Sequence, residues 1–370
     1  MEFESDAHIN GFWLVNIVKI VLPVSVIALL LVIVTPNRPY EHSEPPYPKS
    51  SVISGISFDW ETHMRKAIGS DIWAITWADD DHQYASWGDG GGFGGTDTDG
   101  RVSIGIARIK GSYDDYEGVN VYGGKDAENP GKPIGYSWGI ICLDGILYIW
   151  AGESRSEIYY SKNSGATWET AGWNLGPPVG PFGMSTFLNF GKNYEGAMDN
   201  YVYVYGTTKK RRWYSSTDGV LLARVPKNKI LLRNAYEFFH GHDRTGNSVW
   251  TDDIEKASPS FRWPKMVHWC VSVAHVPEIH RYLLCFNAGE FNKTSRLVIF
   301  DAPKPWGPWS LVADERNFGG SGYTFSYHFA PKWWRNGGRE FTLVYSGTRE
   351  NDSWNTVTGK LSLARDESNP

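Results

Sequence analysis

After residue 68 the hydrophobic positions fall in short runs that predict β-strands rather than helices. The clearest run is DIWAITWA, which a polar turn, DDDH, separates from the aromatic run QYASWGD. SWGIICL and ILYIWAGE repeat this pattern around Asp144-Gly145, a dipeptide that is a strong signal for a hairpin turn. A third apolar run follows each pair, as VSIGIARI and SEIYYSK show. The pattern therefore predicts an all-β chain.

The paired runs recur along the chain, which makes the fold more specific. The later copies are STFLNFG with NYVYVYGT, HWCVSVAH with RYLLCFNAGE, and TFSYHFA with EFTLVYSG. Five repeats of three or four strands are typical of the blades of a β-propeller. A two-sheet sandwich is the alternative, but five copies of one unit argue against it. The predicted fold is thus a five-bladed β-propeller over residues 51–366, followed by a short tail, 367–370.

The two ends of the propeller are predicted to pair. The fifth copy lacks a fourth strand, and Ser51–Phe58 has the alternation of a strand that would supply it. This strand would pair with the one near Gly359–Ala364 and close the ring. The segment between closure strand and first blade, WETHMRKAIG, is predicted to be a short helix or a loop.

The N-terminus has a different character. Residues 11–35 are almost wholly apolar, with VLPVSVIALLLVIV at their centre, and about 20 such residues span a bilayer. No small-residue cleavage site follows, so an uncleaved transmembrane anchor is favoured over a cleaved signal peptide. Residues 1–10 form a tail, and the proline-rich residues 36–50 form a stiff linker. The protein is predicted to be membrane-anchored, with its propeller periplasmic or extracellular.

Composition excludes some partners. The chain has 370 residues and a net charge of −5, so nothing indicates a nucleic-acid partner. The 40 glycines, 18 Trp, 20 Tyr and 17 Phe suit an all-β protein with many turns. The three cysteines, Cys142, Cys270 and Cys285, lie in strand-like segments. Cys270 and Cys285 flank one predicted hairpin and could face each other, but buried thiols are favoured. No cofactor motif is present, a structural divalent cation is an open alternative, and a monomer is expected.

Carboxylates recur at one position of the repeat. The second strand of each copy ends in a tripeptide with glycine at its centre, and its third residue is acidic in three copies: Asp89, Glu153 and Glu290. Because the second strand runs antiparallel to the first, these residues should reach the face where the first strands begin. Asp71, at the start of the first strand, should reach the same face. Solvated turn residues are the alternative interpretation.

A role in acid–base chemistry is predicted for these four carboxylates. Asp71 is the candidate base and Glu153 the candidate acid; Asp89 would position its neighbours, and Glu290 is a reserve acid. Asp79 and Asp80 lie in the turn after the first strand, so they should reach the opposite face. A register error would reverse that placement, which keeps them as reserve catalytic candidates beside a solvated turn.

Aromatic and glycine residues around the acids suggest a sugar ligand. Trp73, Trp87, Phe93 and Trp138 would offer stacking faces, with core packing as the alternative. Arg155, two residues after Glu153, would orient a carboxylate or sugar hydroxyls. The glycines within residues 90–95 would let the backbone approach a ligand closely, or would form a flexible loop. No metal site is assigned.

Four segments resemble a known family. DIWAITWADD, SWGDGGGFGG, LLARVPKNKILLRNAYEFFHG and FDAPKPWGPWS resemble a bacterial family long described as a domain of unknown function, and the likeness covers Ser51 to Ala364. Some members are five-bladed glycoside hydrolases with endo-D-arabinofuranase activity. The resemblance implies a hydrolase acting on arabinan-like furanose linkages of a polysaccharide. A non-catalytic polysaccharide-binding propeller and a polysaccharide lyase using Tyr or His are the alternatives.

A further segment supports the fold alone. SKNSGATW, Ser161–Trp168, resembles the Asp-box turn of sialidase-like propellers, with Asn163 where that motif has aspartate. The box is a structural turn distant from the chemistry in such propellers. It therefore predicts a turn between two strands of the second blade.

Overall fold

The computed structural model describes residues 43–129, 131–152, 156–208, 216–268, 270–289, 295–320, 322–347 and 352–364. The regular structure in these ranges is β-strand, interrupted only by short 3₁₀ turns, which confirms the predicted all-β class. The predicted anchor at residues 11–35, residues 36–42 of the linker and both predicted tails lie outside the described residues. Among the residues described, no helix has the length and apolar character to cross a membrane.

The first two blades are four-stranded antiparallel sheets in chain order. Blade one contains β2 (Asp71–Trp77), β3 (Gln83–Gly88), β4 (Ile104–Gly111) and β5 (Tyr116–Tyr122). Blade two contains β6 (Ser137–Leu143), β7 (Ile146–Ala151), β8 (Glu157–Ser161) and β9 (Glu169–Asn174). Asp144 and Gly145 connect β6 to β7 with φ angles of 51° and 74°. Both angles are positive, as a two-residue type I′ hairpin turn requires, which confirms the predicted turn.

Blades three and four follow the same plan with additions. Blade three contains β10 (Gly183–Asn189), β11 (Tyr201–Thr207), β12 (Thr217–Pro226), β13 (Glu237–His242) and β14 (Ser248–Thr251). An extra strand, β15 (Pro259–Val267), pairs with the first half of β12. Blade four contains β16 (Ser272–Val276), β17 (Arg281–Asn287), β18 (Arg296–Ala302) and β19 (Ser310–Arg316).

Blade five joins the two ends of the domain. It contains β20 (Phe325–Phe329), β21 (Glu340–Ser346), β22 (Trp354–Leu363) and β1 (Ile53–Lys66). In the β1–β22 pair, Ile53 faces Leu363 and Phe58 faces Gly359. The predicted closure of the propeller by its N-terminal strand is therefore confirmed.

The prediction for WETHMRKAIG is wrong over most of its length. β1 continues to Lys66, and after a register shift that follows Asp59 its residue Met64 faces Thr356. The reason is that the ten-residue β22 would otherwise leave the backbone groups of its outer edge without partners.

The five first strands form a closed ring around the axis. β2 contacts β6, and β10, β16 and β20 follow in turn until β20 contacts β2 again. This arrangement is that of a five-bladed β-propeller. The ring strands are buried on both faces, and every residue of β6 is buried, so their sequences read as continuous apolar runs. The ring fixes the two ends of the axis, where side chains from different blades meet.

The described part of the linker lies on the propeller. The Tyr47 ring stacks on Phe261 at 4.7 Å between centroids, and the Tyr47 hydroxyl accepts a 2.9 Å hydrogen bond from the Arg262 amide. The Leu311 amide in β19 donates a 2.7 Å hydrogen bond to the Pro48 carbonyl. Residues 43–50 therefore follow the surface of blades three and four.

The predicted turn at Ser161–Trp168 and the predicted state of the cysteines are both confirmed. Ser161–Trp168 forms a turn between β8 and β9, in which Asn163 Oδ1 accepts a 3.0 Å hydrogen bond from the Thr167 amide. Trp168 is buried and donates its indole N–H to Gly165 at 2.9 Å. This confirms the structural turn. All three cysteines are buried thiols, as predicted.

Candidate active site

Two carboxylates of blade one meet at one end of the axis. Asp71 is the first residue of β2, and its cross-strand partner is Gly88 at the end of β3. Asp89 follows Gly88 directly, so two adjacent strands bring both acids to the end of the axis where the first strands begin. This end is termed the Asp71 face, and the opposite end, where β2 finishes at Trp77, is termed the Trp77 face.

The Asp71 side chain is buried next to other acids. The residue is 8% exposed, and its Oδ1 atom has no hydrogen-bond partner among the described residues. Burial first, then the negative charges of Asp352 and Asp89, raise the pKa of Asp71 well above its usual range, and Arg101 opposes them. Asp71 therefore holds its proton at pH values where an exposed aspartate is charged.

Asp89 has a different environment. Its side chain is 32% exposed and lies 3.1 Å from Arg101 Nη2. Burial raises the pKa of Asp89, while the Arg101 charge lowers it. Arg101 also contacts the Asp97 carboxylate. Asp71 and Asp89 thus differ in degree: burial strongly favours the protonated form of Asp71, whereas Asp89 is less buried and its cationic partner opposes the rise of its pKa.

A third carboxylate comes from blade five. Asp352 lies two residues before β22, and its carbonyl accepts a hydrogen bond from the Gly69 amide next to the start of β2. Burial first, and then Asp89 and Asp97, raise the pKa of Asp352. Sequence reasoning missed Asp352 because it precedes a third strand, whereas the repeat pattern marks only the ends of second strands.

The glycine-rich loop after Asp89 packs against the protein's own backbone. A Cβ atom at Gly90 would lie 2.1 Å from the Gly69 carbonyl oxygen, and one at Gly91 would lie 2.0 Å from that of Asp99. Glycine is needed because no side chain fits between these segments. Gly90, Gly91, Gly92 and Gly95 are close-packed against protein, which does not fit a flexible loop, whereas a Cβ atom at Gly94 would meet nothing within 4 Å. This packing fixes the backbone next to Asp89. The close approach to a ligand stays a prediction.

One amide organises that loop. Asn120 Nδ2 donates to the carbonyl oxygens of Gly91, Phe93 and Lys125 at 3.0–3.1 Å. Its Oδ1 accepts a hydrogen bond from the Phe93 amide at 3.0 Å. Sequence analysis did not single out Asn120, because it lies within β5 and carries no motif.

Aromatic side chains from two blades line the Asp71 face. Tyr136 and Trp138 lie 5.9 Å apart between ring centroids in blade two. Tyr323 and Phe325 stack at 5.1 Å in blade five, and the Tyr323 hydroxyl is 2.8 Å from His268 Nε2. Tyr136 and Tyr323 are partly exposed, so they can contact a ligand. Neither was predicted, because both stand before their strands rather than within the repeated runs.

Two of the residues predicted to stack on a sugar are buried in the core instead. Trp73 and Trp87 are each 0% exposed, and their rings lie 5.2 Å apart inside blade one, so no sugar reaches them. Phe93 is half-buried, 5.5 Å from the Trp73 ring. Trp138 does lie at the Asp71 face, where its indole N–H donates to the Gly152 carbonyl at 2.8 Å, but it is only 6% exposed.

Three predicted site residues lie outside the described residues: Glu153, Arg155 and Glu290. Residues next to them are at the Asp71 face. The Gly152 amide donates to the Tyr136 carbonyl at 3.0 Å, and the Gly289 amide donates to Met266 at 3.1 Å. The roles of the three residues stay predictions.

Asp79 and Asp80 lie at the Trp77 face, as predicted. Both are exposed in the turn after β2. Asp80 accepts hydrogen bonds from the Tyr84 hydroxyl at 2.7 Å and the His82 amide at 3.0 Å. These contacts stabilise the turn, and the length of β2 separates them from Asp71. Within the described ranges, no cluster of three or more His, Cys, Asp or Glu side chains is arranged to hold a metal ion.

The family of the chain follows from a comparison with family models. The model for Domain of unknown function (DUF4185) matches residues 149–349, more than half of the chain. The chain therefore belongs to this family, and the resemblance seen in the sequence is confirmed. No curated protein matches the chain.

Several solved structures are similar to the chain at low identity. The α-L-arabinofuranosidase PaAbf62A from Podospora anserina, in complex with cellotriose, is 10% identical with a TM-score of 0.47, over 86% of this chain and 95% of its own. A GH43_1 enzyme from Xanthomonas citri is 12% identical with a TM-score of 0.46, over 81% and 91%. A protein of unknown function from Dyadobacter fermentans is 11% identical with a TM-score of 0.45, over 84% and 100%.

Proposed function

We propose that the protein is a glycoside hydrolase that cleaves a polysaccharide at the Asp71 face. The observation that carries this proposal is the buried Asp71 carboxyl, whose Oδ1 finds no partner in the described part of the chain, next to the Asp89 carboxylate. Glycoside hydrolysis uses two carboxyl groups, one that donates a proton and one that acts as base or nucleophile. Burial favours the protonated form of Asp71, whereas Asp89 has an ion-pair partner, Arg101, that favours its charged form.

The roles follow from the environments. The sequence predicts Asp71 to be the base, but its burial favours the protonated form. We therefore assign Asp71 as the acid that protonates the oxygen of the leaving group. Asp89, paired with Arg101 at 3.1 Å, is the base or nucleophile. Asp352 adds negative charge that helps to raise the pKa of Asp71. Glu153 and Glu290 remain further candidates from blades two and four.

The substrate class is proposed from two sources. Tyr136 and Tyr323 offer aromatic surface and hydroxyl groups on opposite sides of the carboxylates, a combination that suits a sugar ring with its apolar face and its hydroxyls. The family resemblance implies furanose linkages and internal cleavage. We therefore propose endo-action on an arabinan-like polysaccharide.

A non-catalytic binding propeller explains Asp71 less well. A buried polar group without a hydrogen-bond partner costs about 1–3 kcal/mol of stability. A protein that only bound sugar could pair that oxygen with a hydroxyl, but it would gain nothing from Asp352 and Asp89, whose charges raise the pKa of Asp71. Acid chemistry gives the buried carboxyl a use.

A polysaccharide lyase has one supporting contact, the 2.8 Å pair of Tyr323 and His268. A lyase must also neutralise the carboxylate of a uronate. The described charges at the Asp71 face are mainly negative, from Asp89, Asp97 and Asp352, and they would repel a uronate. The lyase is therefore less favoured than the hydrolase.

One screen separates the three activities. The full chain is incubated with arabinans and with other furanose-rich and uronate-containing glycans, and both reducing ends and ultraviolet absorbance are followed. Reducing ends without an absorbing product support the hydrolase, and an unsaturated, absorbing product would establish the lyase. Retention on a glycan that yields neither product would leave the binding propeller as the function.

A further inference from the structure

The Trp77 face holds a cavity of about 200 Å³ that the proposed hydrolysis does not use. Four blades contribute to its lining. Trp77 ends β2, Asn189 ends β10, His275 lies in β16, and Lys332 and Trp334 follow β20. The cavity is smaller than the ~300–1,000 Å³ of pockets for drug-sized ligands, and its size suits one sugar ring.

Two tryptophans in the lining are partly exposed. Trp77 and Trp334 keep accessible surface, whereas Trp73, Trp87 and Trp354 are 0% exposed. The Trp77 indole N–H donates to Asp81 Oδ1 at 3.1 Å, and Trp334 stacks on Phe329 at 5.3 Å. Both rings are thus held in place before any ligand arrives, so little entropy is lost when a ring packs against them.

A buried imidazole also lines the cavity. His275 is 6% exposed, and its Nδ1 has no hydrogen-bond partner among the residues that the structure describes. The ring packs 4.7 Å from Tyr282 and 5.1 Å from Phe190. Burial first, and then the charge of His280, lower the pKa of His275 to about 4. A neutral imidazole has one donor and one acceptor nitrogen, which matches a hydroxyl group.

The charges around the cavity balance. Lys192 and Lys332 both contact the Asp81 carboxylate, at 3.3 and 2.8 Å respectively. Their ammonium groups lie 6.0 and 5.9 Å from the centroid of the Trp77 ring. Among the lining residues themselves, Lys332 is the cation and Glu278 the anion. The charges therefore balance both in the lining and next to it, so a neutral ligand with many hydroxyls fits better than an anion or a cation.

We infer that this cavity is a second, non-catalytic binding site for a neutral sugar residue of a polysaccharide. The choice of glycan rests on the proposed function, because the substrate of the Asp71 face is the ligand expected here. The two sites lie at opposite ends of the axis, so a long polysaccharide would bind one propeller at two places. Such bivalent binding raises retention without changing the chemistry at the Asp71 face.

The test measures retention of the full chain in gels that contain soluble arabinan. Every variant carries Asp71→Asn so that the glycan is not cleaved. Trp334→Ala and His275→Phe are compared with Trp60→Ala, a matched change at a tryptophan that is 45% exposed outside the cavity. His275→Phe keeps a flat aromatic ring, somewhat larger than imidazole, and removes the ring nitrogens, so it tests the site even if Trp334→Ala folds poorly.

We expect both cavity variants to bind arabinan about tenfold more weakly, the equivalent of ~1.4 kcal/mol, while Trp60→Ala binds like its parent. Equal retention of all variants would overturn the inference, as would a parent chain that arabinan does not retain. The hydrolase is judged separately, from reducing ends released by the chain with Asp71 intact. Cavity-dependent retention without hydrolysis would reject the hydrolase and keep the binding site.

Discussion

At the scale of single residues, the burial that suits Asp71 to donate a proton also lowers the stability of the folded protein. Its folded pKa is raised above the unfolded value, so the folded state binds more protons than the unfolded state between the two pKa values. Stability therefore falls as pH rises through that window. Asp71→Asn removes this titration, because the amide resembles the protonated acid and carries no charge.

We predict that Asp71→Asn stabilises the protein at pH 8 by about 1 kcal/mol or more, since one pKa unit corresponds to about 1.4 kcal/mol. The gain should shrink towards pH 4, where Asp71 is protonated in the folded state and about half protonated in the unfolded chain. Thermal unfolding at pH 4, 6 and 8 measures this, with the exposed Asp79→Asn as the control. A variant that is less stable than the parent at pH 8 would contradict the assignment of a strained, protonated Asp71.

At the scale of elements, the strands around Trp87 show how the site is supported. A Cβ atom at Gly105 in β4 would lie 2.1 Å from Trp87 Cζ2, whereas one at Gly55 in β1 would meet nothing within 4 Å. We predict that Gly105→Ala costs about 1–3 kcal/mol through overpacking. The free energy of unfolding of Gly55→Ala, measured by the same denaturant titration, should be within about 0.5 kcal/mol of that of the parent. Equal stability of the two variants would contradict the close packing of Gly105 against Trp87.

The strands were more predictable than the site because they depend on local patterns. The Asp144-Gly145 turn and the pairing of Ile53 with Leu363 follow from turn chemistry and from alternation with a missing partner. For Trp73 and Trp87 the alternative of core packing holds, because β2 and β3 are buried on both faces, which alternation does not reveal. Arg101 and Asp352 reach Asp89 through the packing of loops, and no repeat position marks them.

At the scale of the whole molecule, the N-terminal anchor stays a prediction. The run from Gly11 to Val34 should remain attached and hold the propeller on a membrane, because no cleavage site follows it. Membrane fractionation and the mass of the mature chain test this. The full-length mass in the membrane fraction is expected, and a mature chain starting near residue 36 would contradict it.

The most direct test of the central claim is kcat/KM for arabinan cleavage in three matched substitutions: Asp71→Asn, Asp89→Asn and Asp79→Asn. Removing a group that transfers a proton in the reaction should lower turnover by about 10²–10⁴-fold, so Asp71→Asn and Asp89→Asn should each fall that far while remaining folded. Asp79→Asn, at the Trp77 face, should keep the parent rate. Full activity in both Asp71→Asn and Asp89→Asn would contradict the proposed active site.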